Sequence, residues 1–242
     1  MAGARRYHAA MRPVLGLGSV LVSVATALAL TAAVIVPFLS PAWGGFEQGR
    51  ANAAAWTGYA PSDLEAATNA ILGDLVIGPP DFDVEVHGSS VLTPAERAHM
   101  RDVRGVFSGF FVLAAASLIW VVVAWRLAAG GADWTRARFW RAVQRGSLAL
   151  AAGIAVAGVV AVVAFDAAFE LFHALFFAAG TYDFDPRIYR LTQLFPDTFW
   201  SETSIVVGAS ILAAALVTAA VATRRLGEAS RTGVASLAAG LR

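Results

Sequence analysis

The chain has 242 residues, 58% of them hydrophobic and 14% charged, with a formal net charge of +1 and no cysteine. Its mean hydropathy is +0.65. Soluble domains carry roughly 25% charged residues and disordered chains need few apolar residues with high net charge, so both classes are excluded. The absence of cysteine removes disulfides, thiolate metal sites and a cysteine nucleophile. All 18 basic residues are arginine, which removes lysine chemistry as well.

A hydrocarbon core ~30 Å thick needs about 20 helical residues. The first run of that length covers residues 14–36 and follows Arg5, Arg6 and Arg12. It outlasts the roughly 7–15 apolar residues of a signal peptide, and no small-x-small cleavage site follows it. It therefore reads as an uncleaved membrane helix, stopped by Pro37 and Pro41.

Segment 37–104 is too long for a simple connector. Within it, residues 63–72 have helical spacing, with Ser62 as N-cap. After Gly78-Pro79-Pro80, residues 82–87 alternate apolar and charged side chains, as a half-buried strand does. With Leu75-Val76-Ile77 before and Ser90-Val91-Leu92 after, a small α/β element is expected here. Thr93, Pro94 and Glu96 stand at cap, N1 and N3 of a helix that carries His99 and Asp102 into the second span, 106–127.

The third span is read as 147–177, including an apolar continuation through Phe165 to Phe177. A second non-spanning segment, 179–203, follows. In it Gly180 suits a helix C-cap, Asp185-Pro186 a short helix start, and Phe195-Pro196-Asp197 the approach to the fourth span, 204–223. The expected fold is an all-α transmembrane protein. It is a four-helix membrane bundle forming a single integral domain over 1–242, with a small extracytoplasmic α/β element between spans one and two.

Charge sets the expected orientation. The N-terminus, the loop between spans two and three, and the C-terminus hold Arg5, Arg6, Arg12, Arg126, Arg136, Arg138, Arg141, Arg145, Arg224, Arg225, Arg231 and Arg242 against Asp133 and Glu228. Arginine-rich short loops stay cytoplasmic. Both termini are thus expected inside, and segments 37–104 and 179–203 outside. Topology and attraction to anionic lipid account for these arginines, so no nucleic-acid partner is expected.

Of four histidines, His8 sits in the arginine-rich tail and His87 at the end of the expected strand, both positions of a surface or structural residue. His99 and His173 fall near membrane depth, where ionisable groups are costly and mark function. His99 and Asp102 are three apart, as are Glu170 and His173, and Asp166 lies one turn before Glu170, so each pair can share a helix face. A carboxylate on one ring nitrogen fixes the tautomer and makes the other a better base. Three readings follow: a polar network closing a bundle, a histidine-and-carboxylate metal site, or histidine-based proton transfer. No H-E-x-x-H signature supports the metal, and no G-x-S-x-G elbow supplies a serine nucleophile. Proton transfer without a protein nucleophile favours a reaction whose nucleophile belongs to the substrate.

Two stretches carry a family resemblance. Residues 92–103, Leu-Thr-Pro-Ala-Glu-Arg-Ala-His-Met-Arg-Asp-Val, resemble the E-x-x-H-M-x-D-V stretch of the Lit-type lipoprotein intramolecular transacylases. Phe172-His173 with Phe176-Phe177, then Phe184-Asp185-Pro186 and Leu194-Phe195-Pro196-Asp197, resemble their F-H-x-x-F-F, F-D-P and L-F-P-E motifs. Tyr182 and Tyr189 depart from the family pattern, which has a tryptophan and an acidic or polar residue there. The resemblance implies transfer of the sn-2 acyl chain of a diacylglyceryl lipoprotein to its own N-terminal cysteine amine. It implies His99 and His173 as the catalytic pair, with Asp102, Glu170, Asp166 and Asp185 in support. The implied partners are membrane phospholipid and the lipoprotein, with no cofactor and no metal, in the bacterial cell membrane. The alternatives are a non-catalytic multi-pass envelope protein and a metal-dependent membrane hydrolase.

Overall fold

Among the described residues, four helices are long and apolar enough to cross a membrane: Gly18–Leu39, Pro94–Ala129, Asp133–Val163 and Asp197–Glu228. The protein is a multi-pass membrane protein. This computed structural model describes residues 2–239, with side chains described for 18–228. The side chains of His8, Arg5, Arg6, Arg12, Arg231 and Arg242 lie outside the described residues.

In chain order the helices are α1 (Ala2–Ile35), α2 (Pro41–Arg50), α3 (Ala53–Thr57), α4 (Pro61–Val76), α5 (Pro94–Ala129), α6 (Asp133–Val163), α7 (Phe165–Phe176), α8 (Arg190–Leu194) and α9 (Asp197–Ala239). Between α4 and α5 lies one antiparallel hairpin, β1 (Glu85–Val86) with β2 (Ser89–Ser90), in which Glu85 pairs with Ser90. The contacts divide the chain into two compact units.

One unit comprises residues 1–33, 113–155 and 210–242. Its buried cluster joins Val22 of α1, Ala128 of α5, Phe139, Ala142 and Val143 of α6, and Ala222 of α9. Small residues let the α1 and α6 backbones approach closely, which is how helices associate in lipid. Ser23 Oγ donates to the Ala142 carbonyl at 2.8 Å. Opposite it, a Cβ on Gly146 would lie 2.2 Å from the Ser23 carbonyl oxygen. Gln144 Nε2 donates to Thr223 Oγ1 of α9 at 2.8 Å.

The other unit comprises residues 34–112 and 156–209. Its core gathers Leu64, Ile71 and Leu75 from α4, Phe82, Val91 and Leu92 around the hairpin, Met100 from α5, and Leu194, Phe195 and Phe199 from the α8–α9 region. Buried Gln48 of α2 crosslinks it, donating to the Leu194 carbonyl and accepting from Thr68 Oγ1, both at 2.9 Å. The hairpin turn is the pair His87-Gly88, both at positive φ (51° and 73°), as a two-residue turn between strands requires. His87 Nε2 meets Asp63 Oδ2 at 3.0 Å, a structural tie on an exposed surface.

Several local expectations shift. α4 begins at Pro61 with Ala60 as N-cap, not at Ser62, because proline at N1 already presets the first turn. Residues 75–76 belong to α4, so the strand element shrinks to the two-residue hairpin. The third span does not run unbroken over 147–177. α6 ends at Val163, Ala164 leaves helical geometry at φ −147° and ψ 53°, and α7 restarts at Phe165. The break follows Val159, Val160, Val162 and Val163, whose β-branches weaken a helix. α7 closes at Phe177, so Gly180 (φ 80°) serves a turn beyond its cap.

Candidate active site

Thr93 and Glu96 open α5 with a reciprocal cap: Thr93 Oγ1 accepts from the Glu96 N–H at 3.3 Å, and Glu96 Oε2 accepts from the Thr93 N–H at 2.7 Å. The second oxygen, Glu96 Oε1, accepts from the Leu191 N–H of α8 at 2.7 Å. Glu96 is completely buried. It thereby ties the start of α5 to the Tyr189–Leu191 segment, one helical turn before His99.

His99 is 6% exposed. Phe177 and Phe184 set their rings edge-on to it, with centroids at 4.9 and 5.6 Å. Its Nδ1 is buried without a hydrogen-bond partner. A ring so enclosed, with no carboxylate bonded to it, is most stable uncharged.

His173 comes from α7, 74 residues further along the chain. Its ring lies 6.0 Å from that of His99, centroid to centroid, with 25° between the planes. His173 Nδ1 donates to the Phe169 carbonyl at 2.8 Å. A carbonyl can only accept, so Nδ1 carries the proton and Nε2 of the neutral ring is left as the basic nitrogen. Phe169, Tyr182 and Phe177 surround this imidazole at 4.2, 5.2 and 5.5 Å.

The carboxylates are arranged differently from the sequence expectation. Asp166 and Glu170 are exposed on α7, and the backbone takes the place on His173 Nδ1 that Glu170 was expected to hold. Asp102 is exposed and within electrostatic range of His99. Asp185 accepts from the Arg187 backbone N–H at 2.9 Å and from its guanidinium, whose hydrogen bonds lower the carboxyl to about 2. This turn fixes the loop that delivers Phe184 to His99. Among the described residues, no three His, Asp or Glu side chains converge as metal ligands would.

The sequence reading missed the second role of Glu96, because a capping box does not announce a contact to a residue 95 positions away. Tyr182 packs on His173 and Phe184 on His99; their place in the F-D-P neighbourhood was the available signal.

The model of the family described as lipoprotein intramolecular transacylase Lit matches residues 19–200. The chain belongs to the Lit family. It is therefore an enzyme, a lipoprotein intramolecular transacylase, and both histidines and both motif stretches lie inside the matched interval. The fold is also similar to that of Lit from Bacillus cereus, a membrane-integral protein solved in meso. The TM-score is 0.69 at 18% identity, covering 90% of this chain and 98% of that one. A form of the Bacillus cereus protein with one histidine replaced by arginine gives a TM-score of 0.73 at 17% identity, covering 95% and 99%. A form with a histidine-to-alanine replacement gives 0.69 at 19%, covering 94% and 99%. A search of curated proteins found no match.

Proposed function

We propose that this Lit-family chain moves the sn-2 acyl chain of a diacylglyceryl lipoprotein onto the α-amine of the same lipoprotein's N-terminal cysteine. His99 and His173 carry the protons. The observation that carries this reading is the pair of imidazoles, brought from two distant segments to 6.0 Å in an aromatic setting. Two rings this close can flank one substrate group, each hydrogen bond lying in its own ring plane.

The substrate ammonium first loses one proton to solvent, and the neutral amine adds to the sn-2 ester carbonyl. His173 Nε2, freed by the Nδ1 bond to Phe169, takes the second N–H proton as the bond forms, and a ring N–H of neutral His99 stabilises the oxyanion. When the intermediate collapses, the C–O ester bond breaks, the amide forms, and the His173 imidazolium returns its proton to the departing sn-2 oxygen. Ester and amine belong to one molecule, so proximity supplies much of the rate. Asp102 and Asp185 act in support, the latter through the loop carrying Phe184. The arginine-rich ends face the cytoplasm of a bacterial plasma membrane, and the histidines serve the outer leaflet, where phospholipid surrounds the substrate.

His99→Ala and His173→Ala should each lower lyso-form lipoprotein production in a reconstituted membrane by roughly 10²–10⁴-fold. Folding is checked by unchanged thermal unfolding. Wild-type rates from either folded variant would overturn the assignment.

A further inference from the structure

We propose that a groove in the unit of residues 1–33, 113–155 and 210–242 holds one anionic glycerophospholipid, using none of the residues of the transacylation chemistry. The groove is an open cavity of about 290 Å³ between α1, α5 and α6, at the small end of ligand sites (roughly 300–1,000 Å³). Most of its wall is apolar, including Val22 of α1 and Trp120 and Leu127 of α5. Its polar lining comes from Ser19 of α1 and from Thr135 and Arg138 at the start of α6.

That division matches an amphiphile. Acyl chain lies along the apolar wall, and a phosphate meets the guanidinium. Arg138 is held in place at the groove, since its Nη2 donates to Ser19 Oγ at 3.1 Å and its guanidinium carbon stands 5.9 Å from the Trp134 ring. A planar guanidinium matches two phosphate oxygens at once. Trp134, beside Arg138 near the start of α6, is the kind of side chain found at headgroup depth.

The sign of the headgroup follows from charge. Residues 126–145 hold Arg126, Arg136, Arg138, Arg141 and Arg145 against one acid, Asp133, which is spent on an ion pair with Arg136. A zwitterionic headgroup would bring its ammonium into this excess of arginine, whereas an anionic one gains from every member of it. Basic pockets between spanning helices select anionic headgroups on these grounds.

The test uses the full chain, purified in detergent. Binding of phosphatidylglycerol, phosphatidylcholine and inorganic phosphate is measured by native mass spectrometry and by shift of the thermal midpoint. Phosphatidylglycerol should bind at least about tenfold more tightly than phosphatidylcholine, and millimolar inorganic phosphate should neither stabilise the protein nor displace the lipid. Arg138→Gln should weaken phosphatidylglycerol at least about fivefold, roughly the value of one charge-assisted contact. Arg224→Gln, an exposed arginine outside the groove, should leave the preference intact. Equal binding of the two lipids overturns the proposal, as does equal loss in Arg138→Gln and Arg224→Gln, which would mean diffuse attraction. Phosphate binding that competes with the lipid would make it a free-anion site and also overturns it. If Arg138→Gln does not fold, Ala124→Phe, which fills the groove without changing charge, must abolish the preference, and its retention would refute the site.

Discussion

At the scale of single residues, two buried carboxyl groups of the 34–112 and 156–209 unit show opposite solutions to the cost of burial. Glu96 is completely buried because both oxygens accept backbone N–H groups, from Thr93 and Leu191 at 2.7 Å each. Replacing it with glutamine sets an amide NH₂ against an N–H donor, and a buried donor left unsatisfied costs about 1–3 kcal/mol. Glu96→Gln should therefore lower unfolding free energy in detergent by about that much and reduce transacylation, since the His99 turn loses its anchor. A change within ~0.5 kcal/mol would show that the carboxylate anchors nothing. Glu47 is solved differently. It is 1% exposed, its Oε1 has no hydrogen-bond partner, and burial, then the neighbouring Glu202, hold its carboxyl above the usual 4.5, with Arg50 opposing. A carboxyl raised in the folded state stabilises below its unfolded value and loses that contribution as pH climbs through its folded value. The thermal midpoint should fall as pH rises from about 4.5 through the mildly acidic range, and Glu47→Gln should flatten that slope. An equally steep profile in the variant would place the titration elsewhere.

At the scale of elements, α1 and α6 approach closely at Gly146, where an added Cβ would stand 2.2 Å from the Ser23 backbone oxygen. Alanine is the better helix former by about 0.8–1 kcal/mol, yet here it must push one helix off the other, and overpacking costs about 1–3 kcal/mol. Gly146→Ala should thus destabilise, while Gly153→Ala on the same helix, with nothing within 4 Å of the added carbon, should stabilise by up to ~1 kcal/mol. Thermal unfolding of the two variants separates them, and a gain in both would mean that the helices part without cost. The same contrast explains how much was legible beforehand. All four spanning runs and the Thr93-Pro94-Glu96 helix start could be read because hydropathy and capping are local properties of the chain. The break at Ala164 was hidden, since apolar residues continue on both sides and only the preceding valines hint at it. α2 and α3 escaped notice because they are short and rich in glycine and alanine, with little apolar periodicity. His99 and His173 were identifiable as candidates by type and depth. Their company was not, because the Phe169 carbonyl that replaces Glu170 on His173 is a backbone atom that no side-chain pattern reveals.

At the scale of the whole molecule, charge ties the elements to a direction across the bilayer. Segment 126–145 carries five arginines and one aspartate, whereas 37–104 carries acids at Glu47, Asp63, Glu65, Asp74, Asp81, Asp83, Glu85, Glu96 and Asp102 against four arginines. Moving the first segment across the membrane opposes the positive-inside bias, and moving the second does not. The proposed outer-leaflet reaction depends on this direction, because inverting the chain would turn the histidine pair to the cytoplasmic side. The chain has no cysteine, so one introduced thiol reports its own location without background. Ser89, exposed in β2, and Ala132, exposed before α6, are suitable sites. In intact bacteria a membrane-impermeant maleimide should label Ser89→Cys and spare Ala132→Cys until the cells are permeabilised. The opposite pattern would invert the protein and remove outer-leaflet transacylation with it. Labelling of both before permeabilisation would deny that the α5–α6 connection is sheltered and would break the four-span topology itself.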